Sequence, residues 1–282
     1  MITVVFEGGG AAGIGYGGTY GALEKLELLP KINVAAGSSI GALFALLISL
    51  GIDSKRAIQR ILRVNFRDFI HTDPDKIYKL QAGASYLTQW GIFPADPIFT
   101  YVRSLIAEEV TLLTGKKSTG DETFLEIYNI RKCHLLVTAT NLNKGMAVYL
   151  SDKHSPDLQA YWGVAMSMVV PQLYHPVLWN GDLWCDGGVG DNLPYRAALA
   201  IEPKNTIFAF AFDLRANTPA NDGSNHYAIA ADSNITNDNN KKGELSRGSL
   251  TTLVDYNVAL MTILSNNRGC TMLRAYAFSD SR

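Results

Sequence analysis

The sequence predicts an α/β fold, on three observations. Ile2–Phe6 is a short β-branched and aromatic run that passes through glycines into a helical segment. Residues 32–36 repeat the pattern: an apolar strand, a sharp turn at Gly37-Ser38-Ser39-Ile40-Gly41, then a strongly apolar helix from about Ile40 to Leu50. Further apolar runs at 134–140, 146–150 and 206–212 alternate with helical stretches, as strands and covering helices do in α/β domains.

Each element has its own justification. The glycine-rich helix after the first strand runs to about Leu29. Residues 53–64 (DSKRAIQRILRV) read as an amphipathic helix with Asp53 as N-cap. The stretch 66–97 is aromatic and irregular, with Tyr78, Tyr86, Trp90 and Phe93 among glycines, and fits either plain core or a cap over an apolar groove. Pro97 at a first helical position starts a helix to about Glu109. Short helices follow at Phe124–Arg131 and 156–168. Asn180-Gly181, between Val177-Leu178-Trp179 and Asp182-Leu183-Trp184, is a two-residue hairpin turn. From about 215 to 248 the composition turns to Asn, Asp, Ser and Lys, which reads as a polar surface insertion. Residues 250–264 return to helical periodicity. The expectation is one domain over 1–282 carrying that insertion.

Composition narrows the function. With 282 residues, 47% hydrophobic, the chain can bury a large core. A net charge of -1 supplies no basic field for nucleic acid. Cys133, Cys185 and Cys270 are odd in number and scattered, which fits a reduced compartment rather than a disulfide framework or a metal site. The N-terminus enters a strand directly, without the pattern of a secretory signal, and the apolar run 40–50 is too short to span a bilayer. A cytoplasmic protein needing no cofactor or metal is expected.

Three motifs hold the chemistry. In Gly37-x-Ser39-x-Gly41, a serine on a tight strand-to-helix turn exposes its hydroxyl, and the helix N-terminus behind it favours negative charge. The alternative is a small-residue turn that packs a helix on a sheet. Gly8-Gly9-Gly10-Ala11-Ala12-Gly13 admits several readings, of which a phosphate P-loop fails because Gly13-Ile14-Gly15 lacks the Gly-Lys-Ser/Thr it needs. It fits the G-x-G-x-x-G dinucleotide fingerprint, but the second strand ends without the acidic residue a ribose needs. It fits an oxyanion hole made from glycine N–H groups. It fits a turn that merely allows close packing. Asp186, at the end of the hairpin's second strand and before Gly187-Gly188, is placed to reach a serine on a neighbouring turn, or else to close an Asx-type turn on its own backbone.

In this order, Gly8-Gly9-Gly10-x-x-Gly13, Gly37-x-Ser39-x-Gly41 and Asp186-Gly187-Gly188 resemble the patatin-like phospholipase family. Trp90-Gly91-Ile92-Phe93 resembles its Gly-Leu-Phe element. Residues 165–171, running on to Pro176, resemble its Ala-Ser-x-Ala-x-Pro segment. Asn192 and Pro194 stand where the family has Asn-x-Pro. The resemblance covers roughly residues 2 to 213. Ala12 replaces the family's usual Arg or Lys before the last glycine of the first motif, so no basic side chain stands there for a lipid phosphate.

The resemblance implies a three-layer α/β/α sandwich with a mostly parallel central sheet. It implies Ser39 as nucleophile, Asp186 as its direct base without an intervening histidine, and backbone N–H groups of Gly8, Gly9 and Gly10 around the oxyanion. The implied substrate is a phospholipid or other acyl lipid at a membrane surface. Several family members need a host or membrane partner, so a protein activator and export without a signal peptide enter the expectation. The order of residues agrees on one point: an α/β-hydrolase triad needs a histidine after the acid, and His226, in the polar insertion, is the one that follows Asp186. A nucleotide-binding module on the first glycine loop, and a catalytically silent lipid- or protein-binding member, are the alternatives.

Overall fold

The computed structural model describes residues 1–62, 78–211 and 277–278. The insertion at 215–248, His71, His226, Cys270 and the helix expected at 250–264 lie outside the described residues.

In chain order the elements are β1 (Ile2–Phe6), a 3₁₀ turn (Gly10–Gly15), α1 (Tyr16–Lys25), a second 3₁₀ turn (Leu29–Lys31), β2 (Ile32–Ser38), α2 (Ile40–Leu50), α3 (Ser54–Leu62), α4 (Tyr78–Gln89), β3 (Gly91–Phe93), α5 (Asp96–Thr114), α6 (Phe124–Arg131), β4 (His134–Asn141), β5 (Met146–Ser151), α7 (Ala160–Met166), β6 (Gln172–Tyr174), β7 (Val177–Trp179), β8 (Asp182–Asp186), α8 (Gly187–Gly190), α9 (Tyr195–Ile201), β9 (Thr206–Phe210) and β10 (Ala277–Phe278). The main sheet has the order β10-β9-β1-β2-β4-β8-β7, with β5 also paired to β4. Its centre, β9-β1-β2-β4, is parallel. Antiparallel strands complete both margins. β3 and β6 form a separate parallel pair.

The layers follow from strand alternation. Val4, Phe6, Ala35 and Val137 point into a large core shared with α1, α2, α5, α6 and α7. Val5, Val34, Ala36 and Leu136 point the other way, into a smaller core closed by Leu193 and Ala198. Helices on both faces make this a three-layer α/β/α sandwich. α2 is buried at every position, which is why its sequence is apolar all round. None of the described helices is long and apolar enough to cross a membrane.

Several elements differ in extent from the sequence expectation. The first glycine-rich helix divides into a 3₁₀ turn and α1, and the chain leaves α1 through Glu27 at φ 54. The stretch read as irregular contains α4, from Tyr78 to Gln89. α5 continues past Glu109 to Thr114, because Glu109 is not an exposed helix end. It is fully buried, with Arg56 and Arg60 each 2.6 Å from its carboxylate. The helix expected at 156–168 shortens to Ala160–Met166. Residues 156–159 instead serve the start of α6: the Leu158 carbonyl accepts the Phe124 N–H, and Gln159 bridges Thr123. Asp53 does cap α3, accepting the Arg56 N–H at 2.8 Å.

Candidate active site

Ser39 sits between β2 and α2 with φ 54 and ψ -127, a left-handed conformation that a non-glycine residue holds only under constraint. Gly37 and Gly41 make this elbow sterically open. A Cβ at Gly37 would overlap the Gly41 carbonyl, and one at Gly41 would overlap the Phe6 carbonyl at the end of β1. The turn is held from outside as well. The Ser39 N–H donates to the Ser167 hydroxyl at 2.8 Å, and the Ser38 hydroxyl donates to the Asp191 carbonyl at 2.6 Å.

Asp186 reaches the same place from the far side of the sheet, because β8 pairs antiparallel with β4, next to β2. Its backbone is anchored on both sides: its N–H donates to the Val169 carbonyl at 2.8 Å, and its carbonyl accepts the Thr140 hydroxyl at 2.8 Å. The next residue, Gly187, donates its N–H to the Ser167 carbonyl at 3.2 Å. Ser167 therefore holds the serine elbow through its side chain and the aspartate turn through its backbone. A Cβ at Gly187 would overlap the Thr138 carbonyl, so the acid turn packs directly on β4.

Asp186 closes the Asx-type turn that is one of its two readings. Its Oδ1 accepts the Gly188 N–H at 2.7 Å, an Asx-type closure on its own backbone. That closure occupies one oxygen. Oδ2 is buried and has no hydrogen bond of ordinary geometry, although the Ser39 hydroxyl is close enough to influence the carboxyl. Loose contacts of this kind are common in sites without substrate. Ser39 and Asp186 are 8% and 5% exposed, so the pair is screened from water. Burial pushes the Asp186 carboxyl up to about 6, against the smaller lowering by the Ser39 hydroxyl and the Gly188 N–H.

The glycine loop borders the same site. A Cβ at Gly8 would lie 3.1 Å from the Ser39 Cβ, and one at Gly13 would overlap Ile40. The N–H groups of Gly9 and Gly10 have no acceptor among the described residues. The N–H of Gly8 is engaged by the Asn192 carbonyl at 3.1 Å, so it is not a free donor. Tyr16, one turn beyond the loop, ties its hydroxyl to the Glu7 and Phe210 carbonyls at 2.9 and 3.1 Å.

The described histidines are occupied elsewhere. His134 Nδ1 meets both Asp152 oxygens at 2.9 and 2.8 Å, His154 meets the Ser151 hydroxyl at 3.0 Å, and His175 meets the Ser85 hydroxyl at 2.9 Å. None of the three bonds Ser39 or Asp186. Among the described residues, no group of three or more His, Cys, Asp or Glu side chains is arranged to hold a metal ion. A cavity of about 340 Å³ between α5 and α7 is walled by Phe99, Tyr161 and Trp162 and includes Arg103 and His175. Phe99 and the adjacent pair Tyr161 and Trp162 come from separate helices, and no local pattern marks them as a group.

Residues 4–199 match the profile of the patatin-like phospholipase family. The chain belongs to that family. A curated relative, the probable lipid hydrolase 463L of Invertebrate iridescent virus 6, is 24% identical over 203 residues, which is 72% of this chain and 64% of that protein. The uncharacterized protein R571 of Acanthamoeba polyphaga mimivirus is 28% identical over 167 residues, or 58% of this chain and 50% of that protein. The chain thus spans between half and two thirds of the length of these relatives. Among solved structures, VipD from Legionella pneumophila aligns at TM-score 0.48 and 17% identity, over 68% of this chain and 46% of VipD. Full-length ExoU from the type III secretion system of Pseudomonas aeruginosa aligns at TM-score 0.40 and 17% identity, over 60% of this chain and 38% of ExoU.

Proposed function

We propose that this patatin-like protein hydrolyses fatty-acyl esters of lipids, in the manner of a phospholipase A or lysophospholipase, with Ser39 and Asp186 as a catalytic dyad. One observation carries the reading: Asp186 keeps one buried carboxylate oxygen without a hydrogen bond, and the hydroxyl of the strained elbow serine is near enough to that carboxyl to lower its pKa. An orphaned buried carboxylate oxygen is costly, and folds keep such features chiefly where chemistry uses them.

The steps follow from the proposed roles. Ser39 Oγ attacks the ester carbonyl carbon while its proton passes to Asp186 Oδ2. The carbonyl π electrons move to oxygen, and the resulting oxyanion takes hydrogen bonds from the N–H groups of Gly9 and Gly10. Gly8, whose own N–H is engaged, contributes shape rather than a donor. Collapse expels the alcohol portion of the lipid, which takes the proton back from Asp186, and leaves acyl-Ser39. Water then attacks the acyl carbon, giving its proton to Asp186, and fatty acid departs as Ser39 Oγ is reprotonated. A base near pKa 6 is better matched to this work at neutral pH than an ordinary aspartate. The substrate is met at a membrane surface, with a protein activator and export from the source cell as companion proposals.

The test combines fluorophosphonate labelling with peptide mapping and fatty-acid release from phospholipid vesicles. Labelling at Ser39, and loss of both signals in Ser39→Ala, are expected. A folded protein whose Ser39 stays unlabelled in the presence of vesicles overturns the reading and marks a silent lipid-binding member.

A further inference from the structure

The side chain of Asn192 joins the two halves of the site. Its Nδ2 donates to the Gly8 carbonyl at 3.0 Å and to Glu7 Oε1 at 3.1 Å, and the backbone carbonyl of Asn192 accepts the Gly8 N–H at 3.1 Å. Its Oδ1 occupies the space that a Cβ at Gly8 and a Cβ at Gly188 would each fill. Those two glycines therefore leave room for one amide. Gly8 borders Ser39, and Gly188 donates to Asp186 Oδ1.

The Gly8–Gly9 peptide is trans, since the described residues include no cis peptide bonds. In a trans peptide the C=O and the following N–H point in opposite directions. Holding the Gly8 carbonyl on Asn192 Nδ2 therefore fixes the sense of the Gly9 N–H. Glycine on both sides of this bond makes rotation of the peptide sterically cheap. A rotated peptide would present a carbonyl oxygen where the proposed mechanism needs a donor.

We infer that Asn192 is a positioning residue that locks the Gly8–Gly9 peptide in its donor orientation and braces the Gly188 turn that holds Asp186. The inference rests on the hydrolase reading above. Asn192 does not touch the reacting atoms; it acts through Gly9 and Gly188. Its contribution is expected chiefly in kcat, because an oxyanion donor matters more to the tetrahedral intermediate than to the bound ester.

The experiment measures kcat and KM on a soluble p-nitrophenyl ester, together with inhibition by a trifluoromethyl ketone, which forms a tetrahedral adduct with a serine. The proteins are wild type, Ser39→Ala, Asn192→Ala, Asn192→Asp and the double variant Glu7→Gln/Asn192→Asp. Asn192→Asp keeps the shape but removes both donated hydrogen bonds and sets a carboxylate against Glu7. In the double variant the amide introduced at position 7 gives the carboxylate introduced at position 192 a partner, without restoring a donor to the Gly8 carbonyl. Removing a single oxyanion-hole donor costs about 100- to 1,000-fold in kcat. A misoriented donor is expected to cost roughly ten- to a hundredfold, with KM within about threefold and the ketone's Ki rising in parallel with the loss in kcat/KM. The double variant is expected to regain wild-type thermal stability while kcat stays low. If Asn192→Ala keeps kcat within twofold of wild type, or if the double variant recovers activity together with stability, Asn192 is only structural and the inference falls. If wild type shows no Ser39-dependent turnover, the hydrolase reading falls and takes the inference with it.

Discussion

Replacing Asp186 by Asn tests the electrostatics of the site through folding rather than turnover. In the folded protein burial raises the Asp186 carboxyl from 3.8 to about 6. The native state therefore holds its proton to higher pH than the unfolded chain does. Between about pH 4 and 6 the native state binds more protons than the unfolded state, so stability falls as pH rises through that window and is level above it. A gap of about two pH units, at about 1.4 kcal/mol each, makes ionised Asp186 a burden of about 3 kcal/mol at neutral pH. Asparagine removes the charge and keeps the shape: its amide oxygen can accept the Gly188 N–H, and its amide nitrogen can donate to the Ser39 hydroxyl. Asp186→Asn is thus expected to abolish turnover and raise thermal stability at pH 7.5, by about 6 to 12 °C in Tm if the full 3 kcal/mol is recovered. The decisive quantity is the Tm difference between variant and wild type across pH, because other titrating groups cancel in it. It should be small at pH 4, grow to about pH 6.5 and then level off. A difference that does not change with pH, or a variant less stable than wild type at pH 7.5, would refute the reasoning.

Two further outcomes follow from the same geometry. The pH dependence of kcat/KM is expected to show an acid limb with an apparent pKa near 6, since the proposed base must be ionised to accept the Ser39 proton; the limb is read from initial rates on a neutral ester. Ser167→Ala deletes the acceptor of the Ser39 N–H, a bond of 2.8 Å inside a fully buried turn. Leaving that donor unsatisfied should cost about 1–3 kcal/mol in denaturant unfolding and lower kcat, while Ser167→Thr, which keeps the hydroxyl, should recover much of both if its methyl group fits.

What could be read from the sequence was local, and what could not was long-range. The elbow is specified by five consecutive residues: Gly37 and Gly41 are required by contacts within the turn and with β1, so their spacing marks the turn that carries Ser39. The hairpin at Asn180-Gly181 is equally local, and it delivers Asp186 in the expected register. Glu109 misled for the opposite reason. A glutamate reads as a solvated helix end, yet two arginines from a helix about fifty residues earlier neutralise it in the interior. Ser167 and Asn192 were visible as parts of family-like segments, but what they do was not. Ser167 works across 128 positions and Asn192 across 184. No periodicity or propensity encodes an interaction at that range.

The sheet order explains why such distant residues meet. Strands β1 and β2 are parallel neighbours, so the loops after them, one rich in glycine and the other bearing Ser39, emerge at the same end of the sheet. Loops beyond the carboxyl ends of parallel strands are where α/β proteins place ligands. An acid brought to that end on another parallel strand would arrive just before a covering helix. Here β8 runs antiparallel to β4, with Asp186 opposite Ala139. The acid then enters directly into Gly187-Gly188, and the chain turns back through Asn192 towards the glycine loop. The reversal of direction between β4 and β8 thus lets one short segment supply both the carboxylate and the amide that holds the Gly8 carbonyl. In the proposed dyad the serine passes its proton without a histidine, and such a transfer depends on an arrangement of this kind, because the base must approach directly rather than through an imidazole.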